Sequence, residues 1–199
     1  MIPLLSDEER AGLEQDIRDG ILEHVQGDLM PCPQGTNWIT CADGKYSLNG
    51  MEWLGRKLAE GGHPLEPNVF SLLGAPLALT KDSPLVKIID PQILLTQIRL
   101  ALELKGVTCT GLEPHLPCAV GRWFRIGREE TYANQYLARK RIIEEVPQMK
   151  LTRRLDKVPE ILVLPTLKID WGTMETRDPK TYKLNLNEWY GLRGKERVG

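Results

Sequence analysis

Four cysteines are the residues of this sequence best suited to hold a metal ion. They form two pairs with eight residues between the members of each pair: Cys32 with Cys41, and Cys109 with Cys118. Thiolates are good ligands for Zn²⁺, but structural zinc sites commonly bring two cysteines together within a much shorter turn. Since eight residues do not enforce that geometry, we predict ordinary reduced thiols and no cofactor. Zinc bound by these cysteines and a disulfide within each pair are the alternatives.

Acid–base and nucleophilic catalysis find little support in the sequence. The three histidines, His24, His63 and His115, stand in no Ser/His/Asp, Cys/His or H-E-x-x-H context. Cys109 and His115 could form a thiolate pair only if the fold brought them together. The glycine-rich loops that cradle phosphates are also missing from the sequence. The sequence therefore leaves open whether the protein is an enzyme and favours one that is not, with a thiol- or zinc-dependent enzyme as the weakest alternative.

A basic segment carries the clearest indication of a binding surface. Residues 122–157 contain ten Lys and Arg against five Asp and Glu. Arg122-Trp123-Phe124-Arg125 alternates cations with aromatic rings, which suits base stacking and phosphate neutralisation. The residues predicted to contact nucleic acid or a partner protein are Arg122, Trp123, Arg125, Arg139, Lys140, Arg141, Arg153 and Arg154. Against nucleic acid, nearby glutamates allow local ion pairs, and the sequence pI is only about 6.3.

The two halves of the chain carry opposite charge. Residues 1–104 have 8 basic and 15 acidic side chains, a net charge of −7, whereas residues 105–199 have 18 and 12, a net of +6. Such complementary surfaces can bring subunits together. We therefore predict a non-enzymatic assembly subunit that binds other protein subunits, either copies of itself or different chains. A nucleic-acid-binding accessory protein that uses the 122–157 segment is the alternative.

Helix signals are strong in four places. Ser6 and Glu9 form a capping box at the start of a helix predicted over 7–26. Asp90-Pro91 begins a second helix over 91–105, since Asp is a good N-cap and Pro suits the first helical position. A third helix is predicted over 128–146, and a short one over 50–60.

Strand signals are shorter. Asp43-Gly44 between two alternating runs predicts a hairpin that pairs Cys41 with Tyr46. Further strands are predicted over 85–89, 107–110, 119–126, 161–164, 167–170 and 182–187. The sequence thus predicts an α+β fold, with three main helices packed on a mainly antiparallel sheet of short strands.

Length and hydropathy place the chain among ordinary globular proteins. At 199 residues it is predicted to form one domain over 1–199, with a β-rich C-terminal subregion at 158–190 and a frayed tail at 191–199. No apolar run approaches the roughly 20 residues of a membrane span, and the N-terminus lacks a signal-peptide pattern. We therefore predict a cytoplasmic protein with no membrane partner.

Overall fold

The strands form one sheet at the centre of the molecule. The computed structural model describes residues 4–25, 35–42, 52, 54–56, 59–60, 62, 67–149, 151, 159–173 and 175–194. The strands are β1 (Leu22–His24), β2 (Thr36–Cys41), β3 (Asn68–Leu72), β4 (Cys109–Glu113), β5 (His115–Leu116), β6 (Leu162–Asp170) and β7 (Pro179–Leu184). Their order across the sheet is β1-β7-β6-β4-β2-β3, and β5 pairs with β6 beyond the end of β4.

The helices connect and cover these strands. They are α1 (Asp7–Arg18), α2 (Pro91–Lys105), α3 (Ala119–Trp123), α4 (Arg128–Glu145) and α5 (Leu186–Trp189), with 3₁₀ helices at Ala75–Leu79, Pro84–Lys87 and Val146–Gln148 and a π-helical turn at Tyr190–Gly194. Residues 52, 54–56 and 59–60 are also helical, within the helix predicted over 50–60.

The predicted mainly antiparallel sheet is wrong. Among the described residues, β2 runs parallel to both β3 and β4, and β6 runs parallel to both β4 and β5. The antiparallel pairs between described strands are those that β7 makes with β6 and with β1. Helices α2, α3 and α4 lie in the connections between the parallel strands, because a parallel pair needs a long crossover. The fold is therefore a mixed α/β sheet with more helices than the three main ones predicted.

The hairpin predicted around Asp43-Gly44 involves residues 43–50, which lie outside the described part of the chain. Strand β2, which precedes them, pairs with β3 on one edge and with β4 on the other. Two other predicted strands are helical instead: 85–89 overlaps the Pro84–Lys87 3₁₀ helix, and 119–126 contains α3.

Helix ends follow local signals closely. Helix α2 spans the predicted 91–105, with Asp90 accepting from the Gln92 backbone N–H at 2.9 Å. Helix α4 ends within a residue of its predicted end. Helix α1 ends at Arg18, well before residue 26, since Gly20 adopts a left-handed conformation (φ 72°) and the chain turns into β1.

Two apolar clusters hold the helices to the sheet. The first joins Ile39 and Leu112 of the sheet to Leu95 of α2 and Ile142 of α4. The second joins Leu167 of β6 and Leu184 of β7 to helices α1, α4 and α5, through Leu13, Tyr132 and Trp189 respectively. Val120 of α3 packs against a further cluster of Leu77, Ala78, Leu85 and Ile126.

The two C-terminal regions predicted from the sequence are partly described. The 158–190 range contains β6, β7 and α5. The chain continues as a helical turn to Gly194, where Arg193 pairs with Asp16 of α1 at 2.7 Å. Within the described residues, no helix has the length and apolar character needed to cross a bilayer.

Candidate metal centre

Three metal-ligating side chains converge at one end of the sheet. The ligand atoms of Cys41, His115 and Cys118 all lie within 4.8 Å of one another. Each residue is buried, with 2%, 3% and 6% of its surface exposed, respectively. Two soft sulfurs and one borderline nitrogen form a donor set that Zn²⁺ prefers.

The parallel strands bring these residues together from distant parts of the sequence. Cys41 is the last residue of β2, and β4 runs beside β2 in the same direction. After Glu113 the chain passes Pro114 and forms β5 with His115, still alongside β6. Cys118 then caps the start of α3. The site thus lies at the carboxyl ends of parallel strands, where α/β sheets commonly bind their ligands.

Backbone groups hold each of the three side chains. The N–H of Gly74 donates to Cys41 Sγ at 3.1 Å, and the N–H of Gly121 donates to Cys118 Sγ at 3.4 Å. His115 Nδ1 lies 3.0 Å from the carbonyl oxygen of Pro117. Since a carbonyl can only accept, Nδ1 carries the proton and Nε2 carries the lone pair that would ligate a metal.

The electrostatics of the cluster favour a thiolate. The hydrogen bond with Cys41 has the largest effect on the pKa of the Cys118 thiol. Together with contributions from His115 and the Gly121 N–H, it outweighs the opposing effect of burial and lowers this pKa to about 4. A metal-binding cysteine must be deprotonated. Cys118 therefore meets this requirement at neutral pH.

The dimensions of the cluster fit a zinc ion. In a tetrahedral site with Zn–S bonds of about 2.3 Å, two sulfurs stand roughly 3.8 Å apart. Because no two ligand atoms are more than 4.8 Å apart, the two sulfurs would have to approach each other by no more than about 1 Å to bind zinc. Structural zinc sites have four protein ligands, whereas catalytic sites have three and keep one position open. Within the described residues the cluster supplies three.

The four cysteines considered from the sequence differ in their bonding and in their position. Cys41 and Cys118 are the two thiols of the cluster, one from each sequence pair. Cys109 is disulfide-bonded, which departs from the prediction of reduced thiols. Cys32 lies outside the described residues. His115 and Cys118 were not predicted as a pair, although only two residues separate them and this short spacing was the available signal.

The predicted contact residues divide between two helices. Arg122, Trp123 and Arg125 lie on α3 and the turn that follows it, and Trp123 is 84% exposed. Arg122 pairs with Glu9 of α1 at 3.1 Å. Arg125 is exposed and adopts a left-handed conformation, with φ 56°.

The remaining contact residues are on α4 or outside the described residues. Arg139 is half-buried and Lys140 is exposed. Arg141 is buried, where it donates to the Leu79 carbonyl at 2.9 Å and pairs with Glu145 at 3.0 Å. Arg141 therefore helps to hold α4 to the 3₁₀ helix at Ala75–Leu79. Arg153 and Arg154 lie outside the described residues.

Comparison with known proteins found a similar solved structure. No family model and no curated protein matches the chain. The solved structure is a β-carbonic anhydrase, isoform I, from the protozoan Trichomonas vaginalis. The two share 12% sequence identity with a TM-score of 0.41, over 88% of this chain and 97% of the other. The chemistry of this chain follows from its own ligand cluster.

The predicted non-enzymatic assembly subunit, with its nucleic-acid-binding alternative, is wrong. The buried Cys41, His115 and Cys118 cluster overturns it, because this donor set is that of a metal centre. The cluster indicates a metal-binding protein.

Proposed function

We propose that this protein is a zinc-dependent enzyme in which Cys41, His115 and Cys118 hold the metal. The observation that carries the proposal is the convergence of three buried ligand atoms within 4.8 Å. Bound there, Zn²⁺ would supply a Lewis acid and lower the pKa of a water at its open position to about 7. The reaction class is therefore addition of water to an electrophilic carbon.

The protein side chains prepare this site for a small substrate. All three ligand residues are at least nine-tenths buried, so little water surrounds the metal position. The Pro117 carbonyl orients His115, and two backbone N–H groups orient the sulfurs. A substrate that reaches so enclosed a position must be small. Hydration of CO₂ is the first reaction to assay, because CO₂ is a small molecule with an electrophilic carbon.

Replacing His115 with glutamine tests the proposal. The His115→Gln variant should lose the imidazole ligand and, with it, most of the bound zinc and at least 100-fold of any CO₂ hydration or ester hydrolysis, on the order of what loss of a metal ligand does. Zinc content is measured by plasma mass spectrometry and hydration by stopped-flow pH change.

His24→Gln is the matched control, since His24 is exposed and lies outside the cluster. It should keep the zinc and the activity of the wild type. Wild-type protein that contains no zinc when purified from zinc-supplemented medium would overturn the proposal. Zinc-loaded wild type that catalyses neither reaction would exclude these two substrates and refute the small-electrophile assignment.

We propose a second copy of this chain as the partner, bound at the turn formed by Arg122, Trp123 and Arg125. Trp123 is an exposed aromatic anchor beside exposed cations, and the outer face of α1 supplies complementary acidic groups such as Glu8 and Glu14. The cytoplasmic location predicted from the sequence remains part of the proposal.

Trp123→Ala should raise the dissociation constant of this dimer at least about tenfold, the usual effect of removing an aromatic anchor. Sedimentation velocity across a concentration series measures it. Leu192→Ala removes another exposed apolar side chain, which is 56% exposed, and should leave the constant unchanged. A wild type that stays monomeric at every concentration would refute this interface.

A further inference from the structure

We propose that Gly74 is a positioning residue for the metal centre, which fixes the direction of the Cys41 sulfur. This inference rests on the proposed metal site. Gly74 lies outside the ligand set, just after the end of β3, and acts through Cys41. Its role follows from a hydrogen bond, a backbone conformation and a packing contact, each of which involves a different part of the site.

The hydrogen bond is direct. The N–H of Gly74 points at Cys41 Sγ, with a nitrogen–sulfur distance of 3.1 Å in the buried interior. The adjoining Ala42 N–H bonds to the Leu72 carbonyl at 3.0 Å, so the ends of β2 and β3 are held together at this point. A donor aimed at a sulfur occupies one of its lone pairs and leaves the others for a metal in the remaining directions.

The backbone of Gly74 explains why glycine stands there. Its φ is 72° and its ψ is 14°, a left-handed conformation that other residues adopt only at a cost. Through this conformation the N–H faces Cys41 while the carbonyl accepts from Leu77 and Ala78 to begin the 3₁₀ helix at Ala75–Leu79. One residue therefore ends β3, starts the next helix and donates to the ligand.

Packing at Gly74 also reaches the second half of the site. A Cβ at this position would lie 2.9 Å from Leu85 Cδ1 and 3.2 Å from Val120 Cγ1. Val120 is on α3, two residues after the ligand Cys118. A side chain at position 74 would thus press on Val120 of α3, while the Gly74 N–H holds Cys41. We therefore expect a side chain there to move the Cys118 end of the site relative to Cys41.

Gly74→Ala compared with Gly20→Ala separates positioning from general strain. Both glycines have φ 72°, so both alanines strain the backbone equally, but a Cβ at Gly20 meets nothing within 4 Å. We expect Gly74→Ala to weaken Co²⁺ and Zn²⁺ binding by roughly tenfold or more, as changes to groups that orient metal ligands commonly do. Gly20→Ala should bind both metals like the wild type. Competition with a chromophoric chelator gives the affinities.

A second variant removes only the donor. Glycolic acid in place of Gly74 exchanges the N–H for an ester oxygen and adds no side chain. Without the N–H bond, Cys41 becomes more electron-rich, and the thiolate-to-cobalt charge-transfer band of the Co²⁺ protein should move to longer wavelength. This band reports the sulfur itself, so a loss of stability alone would not shift it.

The outcomes distinguish this inference from the proposed function. If wild-type protein binds neither metal, the proposed metal site fails. The role of Gly74 is refuted, and the metal site stands, if the wild type binds Co²⁺ and two further results hold. The glycolate variant keeps the wild-type charge-transfer band, and Gly74→Ala, where it folds, binds metal as tightly as Gly20→Ala. A red-shifted band in the glycolate variant supports the role even if Gly74→Ala fails to fold.

Discussion

Replacing Cys118 with serine is expected to reduce the zinc content of the purified protein to less than about a tenth of the wild-type value. The Sγ of Cys118 is one of three ligand atoms within 4.8 Å, and it is also the N-cap acceptor of α3. Serine can keep the cap through its hydroxyl, since Ser is a good N-cap residue, but a neutral hydroxyl is a poor zinc ligand. The change therefore removes the ligand with little damage to the helix. Plasma mass spectrometry of dialysed protein measures the zinc.

Cys109→Ser serves as the chemically matched control. Cys109 is buried and disulfide-bonded, and it lies outside the ligand cluster. Its loss should lower stability, as the loss of a disulfide usually does, and should leave the zinc stoichiometry of the folded protein unchanged. Equal loss of zinc in both variants, with native circular dichroism, would contradict the assignment of Cys118 as a ligand.

Replacing Asp16 with alanine is expected to lower the free energy of unfolding by about 3 kcal/mol. The Asp16 carboxylate is fully buried and accepts from Arg193 at 2.7 Å and from the Tyr132 hydroxyl at 2.8 Å. Arg128 lies 3.2 Å away. Without the carboxylate, Arg193 keeps its pair with Asp19 and Arg128 its pair with Glu129, but both lose their fully buried counter-charge, and the buried Tyr132 hydroxyl loses its acceptor. Urea denaturation followed by circular dichroism gives the difference.

Glu14→Ala removes a carboxylate of the same charge from the exposed side of the same helix. It should change the stability by no more than about 0.5 kcal/mol, as most surface substitutions do. If Asp16→Ala destabilises no more than Glu14→Ala, the buried network does not hold the two ends of the chain together.

The sequence specified the longer helices well because their signals are local. The Asp90 cap, Pro91 and the apolar pattern that follows lie within one segment, and α2 has the predicted bounds. The capping box at Ser6 and Glu9 is formed as predicted. The end of α1 was mispredicted, because apolar residues continue past Gly20 and only the left-handed turn there separates the helix from β1.

The direction of the strands could not be deduced from the alternation of apolar and polar residues. The run at 36–41 has the same pattern whether its neighbours are parallel or antiparallel, and the Asp43-Gly44 pair favoured a hairpin. The pairings of β2 with β3 and β4 join segments far apart in the chain, with helical connections between them. The strand predicted over 119–126 is helical because Cys118 caps α3, a role that its thiol rarely has.

Only two of the three ligands of the site can be grouped from the sequence alone. His115 and Cys118 are separated by only two residues, and this short spacing is a local signal for a shared metal. Cys41 could be placed beside them only with knowledge that β2 and β4 are parallel neighbours whose carboxyl ends meet. Grouping the four cysteines by their equal spacing gives the wrong pairs, because the cluster contains one cysteine from each sequence pair.

The absorption spectrum of the Co²⁺-substituted protein tests the metal centre most directly. Co²⁺ takes the place of Zn²⁺ and reports its own ligands. We expect binding of about one Co²⁺ per chain, with intense visible bands of a tetrahedral ion and a near-ultraviolet thiolate-to-cobalt band. That band should weaken in Cys118→Ser. A wild-type protein that binds no Co²⁺, or binds it with a pale octahedral spectrum and no thiolate band, would contradict a metal centre built from Cys41, His115 and Cys118.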